Sequence, residues 1–313
     1  MAPSKESAHL KSLFQTISAN FPPPESGNVW LERTLYDQVS TASTEPENVT
    51  YSDRTTTGTS TPVKYLWIQP SHASSNHALL FLHGGGFSFG SPGGSHRKLA
   101  AHLATACGMP AASVDYRLTP DHPHPAAIED CVAVYQHLIT SLGIPAANIV
   151  LCGDSCGGGL ASTVPLALAQ QNLPKPGASI ALSPWYDHTN SGPSRQYNAD
   201  KDAMTQLPFS NLLAARYNAG KTPLTDPLVS PVFASKAALT QAMPPHYVSV
   251  AGDDTLRSDG EAMAEKLREA GVEAVLRVEE GMQHVFEFMA GRAPEADESV
   301  RRIGEWVRGQ MGL

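Results

Sequence analysis

A chain of 313 residues, 41% hydrophobic and 17% charged, has the make-up of a folded protein rather than a disordered one, and is long enough for one large domain with an accessory subregion. Its formal net charge of −8, without any run of Lys or Arg, excludes nucleic acid and anionic membrane surfaces as partners on charge grounds. The four cysteines, Cys107, Cys131, Cys152 and Cys156, lie in apolar stretches without the paired spacing of a zinc site, so free buried thiols and no metal are expected.

In chain order, residues 1–11 lack the apolar core of a signal peptide, and no later stretch approaches about 18 consecutive apolar residues. The expectation is a cytoplasmic protein without stable membrane association. Leu10, Leu13, Phe14 and Ile17 keep helical spacing, Phe21-Pro22-Pro23-Pro24 interrupts it, and Val29 to Val39 resumes it, which predicts one or two amphipathic helices within 1–45. From 48 to 69 a Thr-, Val- and Tyr-rich pattern with a turn at Gly58 predicts antiparallel strands. Short apolar runs then recur at 78–82, 110–114, 149–152, 179–182, 247–250 and 274–278. Helical patterns fall at 96–106, 126–140, 158–170, 256–270 and 295–307. Short buried strands separated by helices predict a mostly parallel sheet covered on both faces.

One gap breaks this rhythm. Residues 187–242 are longer than a simple crossover, are broken by prolines and hold a helical patch around 208–218. They are predicted as an insertion that forms a cap together with 1–45, over a core made of 46–186 and 243–313.

The stretch Ile149-Val150-Leu151-Cys152-Gly153-Asp154-Ser155-Cys156-Gly157-Gly158-Gly159-Leu160 places G-x-S-x-G between an apolar strand and a helix rich in small residues. A nucleophile elbow requires this context: a sharp turn lifts the serine oxygen above the sheet, at a helix N-terminus that favours negative charge. Ser155 is the candidate nucleophile. A second motif, His83-Gly84-Gly85-Gly86-Phe87, also follows a strand. Its glycines let backbone N–H groups approach a ligand, and with the amide after the nucleophile they can hold an oxyanion, which assigns Gly85, Gly86 and Cys156. His83 is expected to fix this loop rather than to move protons.

Twelve histidines compete for the general base. Reacting groups of such sheets collect at the carboxyl ends of the strands. His246 precedes its strand, and His122 and His124 lie in a proline-locked loop. His284 follows the 274–278 strand by a short loop and lies C-terminal to both serine and acid, the chain order of this elbow chemistry. The acid should come from the loop after the preceding strand, which offers Asp253, Asp254 and Asp259. Asp259 is placed in the following helix, and topology does not choose between the other two.

Taken together, these motifs resemble the hormone-sensitive-lipase-like branch of the α/β-hydrolases, the microbial family IV esterases, over almost the whole chain. His83-Gly84-Gly85-Gly86 matches the oxyanion signature of that family, and Gly153-Asp154-Ser155-Cys156-Gly157-Gly158 its elbow. Asp115-Tyr116-Arg117-Leu118-Thr119-Pro120 with Pro125-Ala126-Ala127, Leu182-Ser183-Pro184-Trp185 and Asp226-Pro227-Leu228-Val229-Ser230-Pro231 are similar to further family segments. The resemblance implies an α/β-hydrolase fold with a mostly parallel central sheet, flanking helices and a helical cap. It aligns the catalytic acid with Asp254, leaving Asp253 as the fallback.

Two departures stand out. Cys156 occupies a position where the family usually has alanine, and its thiol is expected to narrow the acyl site. Asp121 replaces the usual glutamate, a structural variation. The implied activity is that of a serine carboxylesterase acting on short-chain or small acetylated esters, without cofactor or metal, and with a possible homodimer. A lactone hydrolase or acyltransferase with the same triad is the alternative. A non-catalytic receptor of the same fold would lack the histidine found here at 284. Phe87, Phe89, Trp185, Tyr186, Phe209, Tyr217 and Phe286 are candidate pocket residues, each equally suited to core packing.

Overall fold

Among the described residues eight short strands form one sheet, its inner strands placed by the apolar runs that bury them. A computed structural model describes residues 3–23, 27–59 and 61–313; Pro24, in the interruption between the first two predicted helices, lies outside these. The strands are β1 (Val49–Thr55), β2 (Lys64–Pro70), β3 (Ala78–Leu82), β4 (Ala111–Val114), β5 (Ile149–Asp154), β6 (Ala178–Leu182), β7 (His246–Ala251) and β8 (Ala274–Glu279), in the order β1-β2-β4-β3-β5-β6-β7-β8. β1 and β2 pair antiparallel, β2 pairs antiparallel with β4, and all later pairings are parallel. β3, β4, β5, β6 and β7 are buried along their whole length, as both-face coverage by helices demands.

The helices are α1 (Lys5–Asn20), α2 (Val29–Tyr36), α3 (Arg97–Cys107), α4 (Ala126–Thr140), α5 (Cys156–Gln170), α6 (Ser194–Tyr197), α7 (Leu207–Asn218), α8 (Lys236–Ala242), α9 (Arg257–Glu269) and α10 (Pro294–Met311). α1 starts on Ser4, whose hydroxyl accepts from the Ser7 N–H, and its buried face is Leu10, Phe14 and Ile17, three of the four residues whose spacing predicts the helix. α5 carries Pro165 in its interior, which leaves the Ala161 carbonyl without its helical donor; Ser179 Oγ supplies one at 2.6 Å. α8 packs with α5 and α9 through Leu239, Leu166, Met263 and Leu267. All four cysteines are buried and free. Among the described residues no helix is long and apolar enough to cross a membrane.

Two boundaries differ from expectation around Ser155. The apolar run predicts a strand ending at Cys152, yet β5 continues through Gly153 and Asp154, which pair with Leu82, Ala181 and Leu182 of the neighbouring strands. Helix α5 begins at Cys156 rather than Gly158. Its glycines are poor helix formers, but a Cβ at Gly157 would run into the Leu82 carbonyl oxygen, so close approach to β3 outweighs propensity.

Candidate active site

Ser155 is the hinge between β5 and α5. It adopts φ 55° and ψ −123°, a left-handed conformation rare for a residue with a Cβ. Neighbouring backbone holds it there. Its N–H donates to the Leu182 carbonyl at 2.8 Å, and its own carbonyl accepts from Trp185 N–H at 2.9 Å and Gly159 N–H at 3.0 Å. Among the described residues its side-chain oxygen makes no hydrogen bond. It borders a cavity that His284 also lines.

The loop after β3 meets this turn. Gly85 and Gly86 have φ of 113° and 55°, and both line the cavity. A Cβ at Gly86 would strike Leu213, so glycine there meets a conformational and a steric demand at once. Asp154, the residue inside the elbow motif, is buried and accepts from Gly84 N–H at 3.0 Å; His96 Nε2 lies 3.0 Å from its other oxygen. The turn at Ser155 and the loop after β3 are thereby tied through one carboxylate. His83 stacks on Tyr116 at 4.1 Å, and its Nδ1 lies 2.8 Å from the Gly84 carbonyl. Burial lowers its pKa to about 3, so it stays neutral and structural.

The thiol of Cys156, expected to narrow the acyl site, is not among the groups that line the cavity: it accepts from Phe87 N–H at 3.3 Å, with Tyr116 Oη 3.9 Å distant. Burial pushes the thiol up to about 12, which keeps it protonated. Its backbone N–H belongs to the first turn of α5, where donors have no helical acceptor.

His284 and Asp254 meet at the carboxyl ends of β8 and β7. His284 Nδ1 lies 2.7 Å from Asp254 Oδ2, and Asp254 Oδ1 accepts from Leu256 N–H at 2.8 Å. Next to His284, Val285 takes a φ of 48° and donates its N–H to Ser183 Oγ at 3.0 Å, which anchors the loop to β6. Burial would lower the pKa of His284, but the Asp254 carboxylate and its hydrogen bond, with Asp202 and Asp154, raise it above the usual histidine value. For Asp254, burial pulls upward while His284, Leu256 N–H and Arg195 pull its pKa below the usual value. The pair is therefore set to hold an anionic carboxylate against the imidazole.

The competing residues are elsewhere. It is Asp254 whose carboxylate meets the His284 ring, while Asp253 donates its backbone N–H to the Met282 carbonyl at 3.0 Å. Asp259, on α9, accepts from the N–H groups of Tyr186 and Asp187, and burial raises its pKa to about 7. His246 is the first residue of β7, at the far end of the strand, 3.1 Å from Tyr186 Oη. His124 contacts Tyr217 Oη and His122 is exposed.

The cavity measures about 40 Å³ and is walled by Tyr36, Phe89, Trp185, Met204, Thr205, Phe209, Ser210, Leu213 and Leu256 around Ser155, His284, Gly85 and Gly86. Of the seven aromatic candidates, Phe89, Trp185 and Phe209 line it. Four do not. Phe87 and Tyr217 stack on each other at 3.6 Å, Tyr186 turns its hydroxyl to His246 and Ser162, and Phe286 is core. Tyr36, Met204, Thr205 and Leu213 come from helices or the insertion and carry no local signal of their position.

Comparison with known proteins accords with this geometry. Residues 79–288 match the family described as alpha/beta hydrolase fold. An acetyl-hydrolase of Streptomyces hygroscopicus is 32% identical over 246 residues, which cover 79% of this chain and 80% of that one. An ethyl acetate hydrolase of Pseudomonas putida is 32% identical over 267 residues, covering 83% and 82%. The crystal structure of an esterase from the bacterial hormone-sensitive lipase family superposes with a TM-score of 0.91 at 34% identity, covering 100% of both chains. The chain belongs to the hormone-sensitive-lipase-like esterases of the α/β-hydrolase fold. It is an ester hydrolase, of the carboxylesterase class.

Proposed function

We propose that the chain hydrolyses short-chain or small acetylated esters through an acyl-enzyme, with 1–45 and 187–242 as the cap over the site. Ser155 Oγ attacks the ester carbonyl while His284 takes its proton, and Asp254 holds the imidazole in place and stabilises its cationic form. The amides of Gly85, Gly86 and Cys156 receive the oxyanion; loss of one such donor lowers rates by roughly 10²–10³. His284 returns the proton to the departing alkoxide, and water then cleaves the acyl-serine in the same way.

The observation that carries this reading is the meeting of Ser155, His284, Gly85 and Gly86 in one cavity of about 40 Å³. A water needs roughly 10–15 Å³ of such space, so the room favours short acyl chains over long ones. Apolar walls favour an alkyl acyl chain over a charged one. The names of the two relatives, acetyl-hydrolase and ethyl acetate hydrolase, point the same way.

The test is hydrolysis of p-nitrophenyl esters from acetyl to decanoyl. kcat/KM is expected to be highest between acetyl and butyryl and to fall at least about tenfold by octanoyl, the loss of roughly 1.4 kcal/mol of transition-state binding. A kcat/KM that keeps rising through octanoyl would overturn the small-ester reading.

A further inference from the structure

The cap loop between α6 and α7 grips both loops that carry His284 and Asp254. Asn198 Nδ2 donates to the carbonyls of Gly252 and Asp254, each at 2.9 Å. Gln283, beside His284, accepts from Ala203 N–H at 3.1 Å and donates to the Lys201 carbonyl at 3.1 Å. Between these contacts lies Asp202, only 5% exposed. Its Oδ1 accepts from the N–H groups of Met204 and Thr205 at 2.7 and 2.9 Å. Its Oδ2 accepts from Thr255 N–H at 2.7 Å and from the Thr205 hydroxyl.

The two bonds within the cap loop are an ordinary Asx turn. Those that reach Thr255 and the shared hydroxyl are not. Thr205 Oγ1 also lies 3.3 Å from Asp254 Oδ1 and 2.8 Å from Thr255 Oγ1. A hydroxyl carries one proton, so two buried carboxylates, one in the cap and one beside His284, draw on a single donor. That donor sits in the wall of the cavity.

We propose that Asp202 is a positioning residue of the hydrolysis: from the cap it fixes the acid loop through Thr255 and Thr205, and its charge supports the imidazolium that His284 becomes when it takes the Ser155 proton. This rests on the Ser155–His284–Asp254 reading above. The charged groups facing Asp202 are Asp254 from the loop after β7, His284 from the loop after β8 and Arg195 from α6. Arg195 itself donates to the Thr205 carbonyl and to Thr255 Oγ1, at 3.2 and 3.3 Å. Burial, with Asp254, raises the Asp202 pKa, against the opposing pull of His284, Thr205 and Thr255. Asp202 in turn is one of the charges that raise His284. Removing that charge disfavours the protonated imidazole, so the acidic limb of activity moves to lower pH.

The experiment compares pH profiles of kcat/KM for p-nitrophenyl acetate in wild type, Asp202→Asn and Thr205→Val, each normalised to serine titratable by diethyl p-nitrophenyl phosphate. Asp202→Asn keeps an acceptor for Thr255 and loses the charge. Its acidic limb is expected to move down by about one pH unit, with kcat reduced about tenfold and KM within about twofold. Thr205→Val is expected to lower kcat without moving the limb. An unmoved limb in Asp202→Asn overturns the proposal, as does an effect on KM alone or on the titratable fraction alone. Should Asp202→Asn not fold, Asp202→Ser gives the same reading of the limb. Failure of the underlying triad is separately visible, because Ser155→Ala would then retain hydrolysis whatever the Asp202 variants do.

Discussion

At the scale of single residues, the site is built by side chains and amides that do two things at once. Cys156 opens helix α5 with its backbone while its thiol accepts the Phe87 N–H of the loop after β3. Replacing it with alanine leaves that buried donor unpaired, and sulfur is a weak acceptor, so the loss is expected at the low end of roughly 1–3 kcal/mol. Cys156→Ala should therefore show a lower Tm with an unchanged KM for p-nitrophenyl acetate. A changed KM or a broadened acyl preference would mean that the thiol shapes the acyl site after all. Ser155, His284 and the glycines were legible because strained turns and flexible loops demand particular residue types in particular contexts. Asp154, His96 and Asp202 were not. Each acts through a contact with a residue 53 to 70 positions away, such as Gly84 to Asp154 or Thr255 to Asp202, and no local pattern announces such a contact. The aromatic candidates show the same limit: Phe87 and Phe89 are two residues apart, yet one stacks on Tyr217 and the other faces the cavity.

At the scale of elements, the inner strands β3 to β7 were readable because burial on both faces leaves uninterrupted apolar runs, and helical periodicity survives in α4 and α10. The register at β5 was hidden, since Gly153-Asp154 has the composition of a turn while close approach to β3 keeps it in the sheet. How α2 and α7 meet was hidden too. Arg216 on α7 forms a bidentate pair with Glu32 on α2, at 2.6 and 3.0 Å, with side-chain exposures of 10% and 1%. These helices supply Tyr36, Phe209 and Leu213 to the cavity wall. Breaking a buried pair from one side strands the other charge and typically costs about 3–5 kcal/mol. Arg216→Ala is expected to lower Tm clearly and to raise KM, and adding Glu32→Gln should recover part of the stability. An Arg216→Ala protein that melts like wild type would show that α2 and α7 are held by their apolar contacts alone.

Across the whole molecule, the carboxyl ends of β3, β5, β7 and β8 bring Gly85 and Gly86, Ser155, Asp254 and His284 together, which the topology of a mostly parallel sheet makes possible. Tyr36 from α2 and Met204, Thr205, Phe209, Ser210 and Leu213 from the segment after β6 add to the walls of the cavity there. Membership in the esterase family follows from the fold and the relatives; the chemistry proposed for it depends on one covalent event at Ser155. That event is directly measurable. Wild-type protein quenched in acid during steady-state turnover of p-nitrophenyl acetate, digested and analysed by mass spectrometry, should carry one acetyl group on the peptide that contains Ser155. Ser155→Ala should show neither the label nor turnover. Turnover that survives in Ser155→Ala would contradict the account, as would wild-type turnover with the acetyl group on another residue.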